Sequence, residues 1–187
     1  MSPPTVVLVG TLDTKGEEYA FLRDRLELAG VASLLVDVGT QGRPRTPADV
    51  GREEVAAAGG FDVAALTDRG RAVEAMCAAA PVVLRRLFEE GRCQGVLAAG
   101  GSGNTAIATA AMRALPVGVP KLVVSTMAAG DSLKVAGCMP PSDRNSVTVV
   151  CIGIGAAWPP NLSPSRPAAG TTALDGATAL NAPRLTS

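Results

Sequence analysis

AAGGSGNTAIATAAM, Ala98 to Met112, decides how the chain is read. It follows the apolar run GVLA and passes without a break into an alanine-rich, helix-forming segment. A short apolar run, a glycine turn and a helix, in that order, form the strand-to-helix part of a βαβ unit. Gly-Gly-Ser-Gly-Asn-Thr at such a junction has two explanations. Glycines let an anion approach the main chain where a helix start leaves N–H groups unpaired, and Ser102 and Thr105 add hydroxyl donors. The same glycines also make a tight turn that packs a helix on a strand. The loop is neither a G-x-x-x-x-G-K-[ST] phosphate loop nor the dinucleotide fingerprint, whose glycine spacing differs.

Outward from this junction the chain repeats the pattern. TVVLVG (Thr5 to Gly10), SLLVDVG (Ser33 to Gly39) and KLVVST (Lys121 to Thr126) read as strands buried on both faces, as does GVLAAG. The segment after Thr5–Gly10 carries Tyr19, Leu22 and Leu26 at helical spacing and ends at Gly30. Asp13 or Thr14 is the expected N-cap of that helix. A helix over 46–59 is expected from Thr46 as N-cap and Pro47 in the first turn. Residues 67–91 read as a longer helix capped by Thr67 or Asp68, with a break or kink at Pro81. Thr105 to Leu115 completes the helices. The order β-α-β-α-α-β-α-β predicts an α/β fold: an open, mostly parallel sheet with helices on both faces, Rossmann-like or flavodoxin-like. SVTVVCIGIG, Ser146 to Gly155, is a candidate fifth strand. Residues 1–155 are read as the domain. Residues 156–187 are rich in Pro, Ala, Ser and Thr and lack an apolar period, and read as a poorly ordered, irregular tail.

Composition excludes several functions. The chain has 187 residues, enough for one domain with a sizeable core. Aromatic residues are only 3%, so Ala, Val and Leu must build that core. Formal net charge is zero with no basic cluster, which argues against nucleic acid or a membrane surface as partner. There is no histidine, so no Ser-His-Asp or Cys-His mechanism operates within the chain. The four scattered cysteines form no C-x-x-C pair and read as thiols of a reducing cytoplasm.

Strand ends in such a sheet form a ligand crevice. Three loops there are chemically distinctive. GTLDTKGE offers Thr11, Asp13, Thr14 and Lys15: the lysine to meet a phosphate, Asp13 to hold a magnesium ion through water. The alternative for this loop is a helix cap beside a solvated lysine. GGSGNT offers Gly100, Gly101, Ser102, Gly103, Asn104 and Thr105. STMAAGD offers Ser125 and Thr126, then Asp131. Asp37, ending the second strand, can accept ribose hydroxyls.

The three loops together carry a resemblance. VVLVGTLDTKGEEYAFLRDRLELAG, LLVDVG and GVLAAGGSGNTAIATAAMRALPVGVPKLVVSTMAAGD resemble the N-terminal domain of the Tm-one-like ATP-binding family, over about two-thirds of the chain. The resemblance implies a nucleotide-binding α/β domain with ATP, and Mg²⁺, as ligand, self-association, and normally a second α/β domain. It implies no defined reaction. Asn104 stands where the family has a second glycine, and its tolerance of left-handed backbone would preserve the turn. The likeness ends near residue 155, so the chain is expected to be a truncated or frame-shifted product with a non-native tail. A protein-interaction module and a non-functional remnant are the alternatives to nucleotide binding.

Overall fold

The computed structural model describes residues 3–126 and three further strands, at 148–151, 172–175 and 178–181. The elements are β1 (Thr5–Gly10), α1 (Leu12–Leu28), β2 (Ala32–Asp37), α2 (Arg52–Ala58), a 3₁₀ turn (Val63–Ala65), α3 (Arg69–Glu89), β3 (Gly95–Gly100), α4 (Ser102–Arg113), β4 (Lys121–Ser125), β5 (Thr148–Cys151), β6 (Thr172–Asp175) and β7 (Thr178–Asn181). One sheet holds all seven strands in the order β2-β1-β3-β4-β5-β6-β7. The pairings from β2 to β5 are parallel, and β6 and β7 add antiparallel. This is the expected α/β sheet. Its 2-1-3-4-5 order reverses direction between β1 and β3, the doubly wound arrangement that opens a crevice at that point. The expected tail, 156–187, lies outside the described residues apart from β6 and β7.

The apolar runs form strands because alternate side chains enter two separate cores. Val7 and Val9 of β1 and Leu34 and Val36 of β2 join Val55 of α2, Met76, Val83 and Leu84 of α3, and Ile107 and Met112 of α4. Leu8 and Leu35 point the other way, onto Leu12 and Tyr19 of α1, with Leu22 and Leu26 packed alongside. Helices therefore cover both faces.

Three helix expectations need correction. First, α1 starts at Leu12, so neither Asp13 nor Thr14 is its cap. Thr11 occupies that position and makes no side-chain capping bond. Lys15 leaves helical geometry (φ −126°, ψ 21°). A neighbouring loop bonds to this turn: Arg45 N–H donates to the Leu12 carbonyl at 3.0 Å. Thr46 Oγ1 then donates to Gly16 O at 2.7 Å.

Second, Thr46 and Pro47 do not begin α2. Val50 lies extended beside β2, bridging Val36. Asp37 N–H donates to Val50 O at 2.9 Å, and Asp49 Oδ2 accepts from Leu35 N–H at 2.7 Å. Strand-like pairing thus holds this segment until Gly51, and the helix begins at Arg52.

Third, α3 runs unbroken through Pro81 from its Asp68 cap, whose carboxylate accepts from Arg71 N–H at 2.8 Å. Buried Ala79 and Ala80 precede the proline, and Val83, Leu84 and Leu87 follow it. Packing on both sides of Pro81 outweighs the lost hydrogen bond, a penalty of about 3 kcal/mol in an unsupported helix.

Candidate functional site at the β1/β3 crevice

A cavity of about 330 Å³ opens where β1 and β3 end. Its walls come from Thr11 and the first turn of α1 (Asp13, Thr14, Lys15), the start of α4 (Gly101, Ser102, Gly103, Asn104) and Thr126 after β4. Nine of the residues singled out from sequence therefore meet around one space. The structure keeps four others out of its lining. Gly100 ends β3, where an added Cβ would lie 2.8 Å from Asn104 Cβ. Thr105 and Ser125 are buried and bonded to each other through their hydroxyls at 2.8 Å. Asp37 is buried and ties two main-chain groups: its Oδ1 accepts from Leu12 N–H at 3.1 Å and Gly39 N–H at 2.8 Å. Burial raises the Asp37 pKa, the two N–H bonds counter it, and the nearby Asp13 charge raises it further. Asp131 lies outside the described residues.

The glycines of the second loop do not serve a left-handed turn. Positive φ occurs at Gly30, Gly60, Gly91 and Gly118, and Gly101 sits at φ −88°. Asn104 is helical, so its tolerance of left-handed backbone is not what this turn uses. Instead its side chain is buried, donating from Nδ2 to Ala99 O at 3.1 Å and to Tyr19 Oη at 3.2 Å. Gly100 is explained by this packing. Gly101 and Gly103 are not. An added Cβ would meet nothing closer than 4.0 Å at Gly101 and 3.7 Å at Gly103, ordinary contact distances. Both border the cavity, and no side chain caps the α4 start between them. First-turn N–H groups with no capping side chain, at the positive end of a helix dipole, suit an anion.

Two cations border the same space. Lys15 pairs with Glu18 at 2.6 Å, both partly exposed. Arg69 opens α3 and lines the opposite side together with Val73. Asp13 does more than its place in the loop suggested. Its Oδ2 accepts from Gln41 N–H at 2.9 Å and Gly42 N–H at 3.2 Å. It thereby anchors the loop after β2, which brings Thr40 and Gln41 to the cavity. Arg52 adds a bond to Gly42 O. Among the described residues no group of three acidic, cysteine or histidine side chains gathers to cage a metal.

Thr40, Gln41, Arg69 and Val73 were not anticipated. Thr40 and Gln41 follow Asp37 and Gly39 at a strand end, and that position alone was the available signal. Arg69 and Val73 reach the crevice because α3 packs on α4, a tertiary fact with no local signature. Of the cysteines, Cys93 is buried, and burial pushes its thiol up to about 11. Burial also raises Cys77. No helix among the described residues is long and apolar enough to cross a membrane.

A doubly wound α/β sheet with a crevice at its switch point is the framework of many small-ligand-binding domains. The chain belongs to the uncharacterised protein family UPF0261, matching its N-terminal domain over residues 4–150. It is 42% identical over 135 residues to a UPF0261 protein of Clostridium tetani, covering 71% of this chain and 33% of that protein. Identity to a UPF0261 protein of Rhizobium meliloti is 46% over 129 residues, covering 67% and 31%. The ToMV susceptible protein tm-1(GCR26) of Solanum lycopersicum is 32% identical over 157 residues, covering 69% of this chain and 20% of that protein. The resemblance read from GTLDTKGE and GGSGNT is thus borne out at the level of the family. The chain spans about a third of the length of the two bacterial relatives and a fifth of the tomato protein.

Proposed function

We propose that this domain binds a nucleotide, with ATP and Mg²⁺ as the favoured ligand, and that its phosphates rest on the start of α4. The observation that carries the reading is the pair Gly101 and Gly103. Neither packing nor backbone conformation demands glycine there, yet both flank an uncapped helix start on a cavity wall. Bare main chain at such a place lets phosphate oxygens reach N–H donors. Lys15 and Arg69 supply counter-charge from either side. The location, at the switch point of a parallel sheet, supports the same reading. Asp13 would supply the single carboxylate to a hydrated magnesium ion, which would add positive charge beside the phosphates.

The test is thermal unfolding of the chain with Mg-ATP, Mg-GTP or inorganic phosphate. A ligand at 100 times its Kd stabilises the native state by about 2.7 kcal/mol. A saturable rise with Mg-ATP, reduced in Lys15→Ala and Arg69→Ala, is expected. No rise at millimolar ATP in a cooperatively unfolding sample overturns the reading.

A further inference from the structure

The charged residues lining the crevice are Asp13, Lys15 and Arg69, and two of them are already engaged. Asp13 Oδ2 accepts from Gln41 and Gly42 N–H. Lys15 Nζ lies 2.6 Å from Glu18 Oε1. Arg69 makes no ion pair or side-chain hydrogen bond among the described residues.

The two cations approach from different layers. Lys15 belongs to α1, which packs on one face of the sheet through Leu12 and Tyr19. Arg69 belongs to α3, which packs with α4 on the other face through Met76 and Ile107. Val73 Cγ2 lies 3.7 Å from where a Cβ at Gly103 would stand, in the first turn of α4. Arg69 is one turn before Val73 on the same side of α3, so it borders the α4 start. A phosphate on the α4 N–H groups has Arg69 as its neighbour. Lys15 stands across the crevice, and a ligand meets it by extending beyond that first phosphate.

Glu18 changes what such a ligand meets. It stands outside the lining, three residues along α1, with its carboxylate on the Lys15 ammonium. The two side chains are 44% and 25% exposed. An ion pair this open is weak, and the ammonium keeps donors free for a phosphate. The carboxylate nevertheless offsets the lysine charge and repels incoming phosphate oxygens.

We propose that Glu18 sets how far the crevice prefers a nucleoside triphosphate to a monophosphate. The phosphate nearest the nucleoside rests between Arg69 and the α4 start. The later phosphates run across to Lys15, whose charge Glu18 offsets. This rests on the nucleotide reading above and adds a specificity-determining residue that acts through Lys15 without touching the ligand.

The experiment is calorimetric titration of the full chain with ATP and with AMP, both in Mg²⁺ at one ionic strength. The native chain is expected to bind ATP more tightly. Glu18→Gln removes the charge and keeps the size; it should tighten ATP by up to about fivefold, the scale of an exposed ion pair, and leave AMP unchanged. Lys15→Ala should lower the ATP-to-AMP affinity ratio, and adding Glu18→Gln to it should change nothing more, because the carboxylate acts through the lysine. Arg69→Ala should weaken both ligands by about tenfold. Glu17→Gln, an exposed neighbour with the same change of charge, should leave the ratio where it was. A ratio that Glu18→Gln does not raise overturns the proposal and leaves the nucleotide reading in place. So does an equal rise in Glu17→Gln, or a rise that persists without Lys15. Binding of neither ligand by the folded native chain overturns both. Should Lys15→Ala fail to unfold cooperatively, the comparison of Glu17→Gln with Glu18→Gln decides.

Discussion

Tyr19 and Asn104 meet through a 3.2 Å hydrogen bond, 85 residues apart in sequence, directly behind the crevice. The phenol lies where the β1–β3 ladder stops: pairing ends at Leu8 with Leu97. Beyond it Tyr19 Oη donates to Val9 O at 2.5 Å and accepts from Ala99 N–H at 2.8 Å. One hydroxyl joins two strands and the helix that follows the second. Burial raises its pKa far above the ordinary phenol value.

Tyr19→Phe keeps the ring and removes these bonds, leaving Ala99 N–H and Val9 O short of a partner. A loss of about 1–3 kcal/mol in stability is expected. Urea unfolding of the variant measures it, and an unchanged midpoint would show that water replaces the hydroxyl.

The glycines at the two strand ends should respond differently from those in the helix start. A Cβ at Gly10 would lie 2.3 Å from the Tyr19 ring, so Gly10→Ala is expected to destabilise by about 3 kcal/mol. Gly103→Ala has room and sits in a helix, where alanine is favoured by up to about 1 kcal/mol. Its effect should fall on ligand binding: an undiminished ATP-induced shift in Gly103→Ala would argue against close phosphate approach at that residue.

Pro81→Ala should stabilise. The substitution restores an N–H donor to α3 and relieves the clash with the preceding turn, against a smaller loss from the freer unfolded chain. A gain of about 1–3 kcal/mol is expected, read as a higher denaturation midpoint at an unchanged slope.

Alkaline pH should weaken the fold. Cys93 titrates near its ordinary value when unfolded but is pushed up to about 11 when buried. Between about pH 9 and 11 the unfolded chain loses this proton and the native state keeps it, so stability falls as pH rises. Tyr19 acts in the same direction above the ordinary phenol pKa. Cys93→Ala should flatten the lower part of that slope, measured as unfolding free energy against pH. Alkylation of the native protein at pH 8 should spare Cys93 and label it after denaturation.

The sheet was legible because each buried strand is a continuous apolar run ended by a glycine or polar turn. Thr5–Gly10, Ala32–Asp37, Gly95–Gly100 and Lys121–Ser125 fall within a few residues of where the runs lie. Helix starts were harder to read. Thr46-Pro47 has the chemistry of a helix start, but Val50 pairs with Val36, and that long-range contact overrides the local preference. Pro81 reads as a breaker until the apolar packing around it is known. Residue types marked segments that border the crevice without revealing their division of labour. Asp37 and Asp13 both look like ligand carboxylates, yet Asp37 is taken up by Leu12 and Gly39, and half of Asp13 by Gln41 and Gly42. The Asn104–Tyr19 contact depends on α1 and α4 meeting across the sheet, which no local window contains.

The Tyr19 hydroxyl bridges Val9 and Ala99 just past the last β1–β3 pair, so the gap between the two strands is set by a buried phenol of fixed dimensions rather than by an occupant. The spacing is established once α1 docks, and Asn104 carries the same constraint to the first turn of α4. An entering molecule therefore finds an aperture that folding has already shaped, and little of its binding energy is spent on preorganisation.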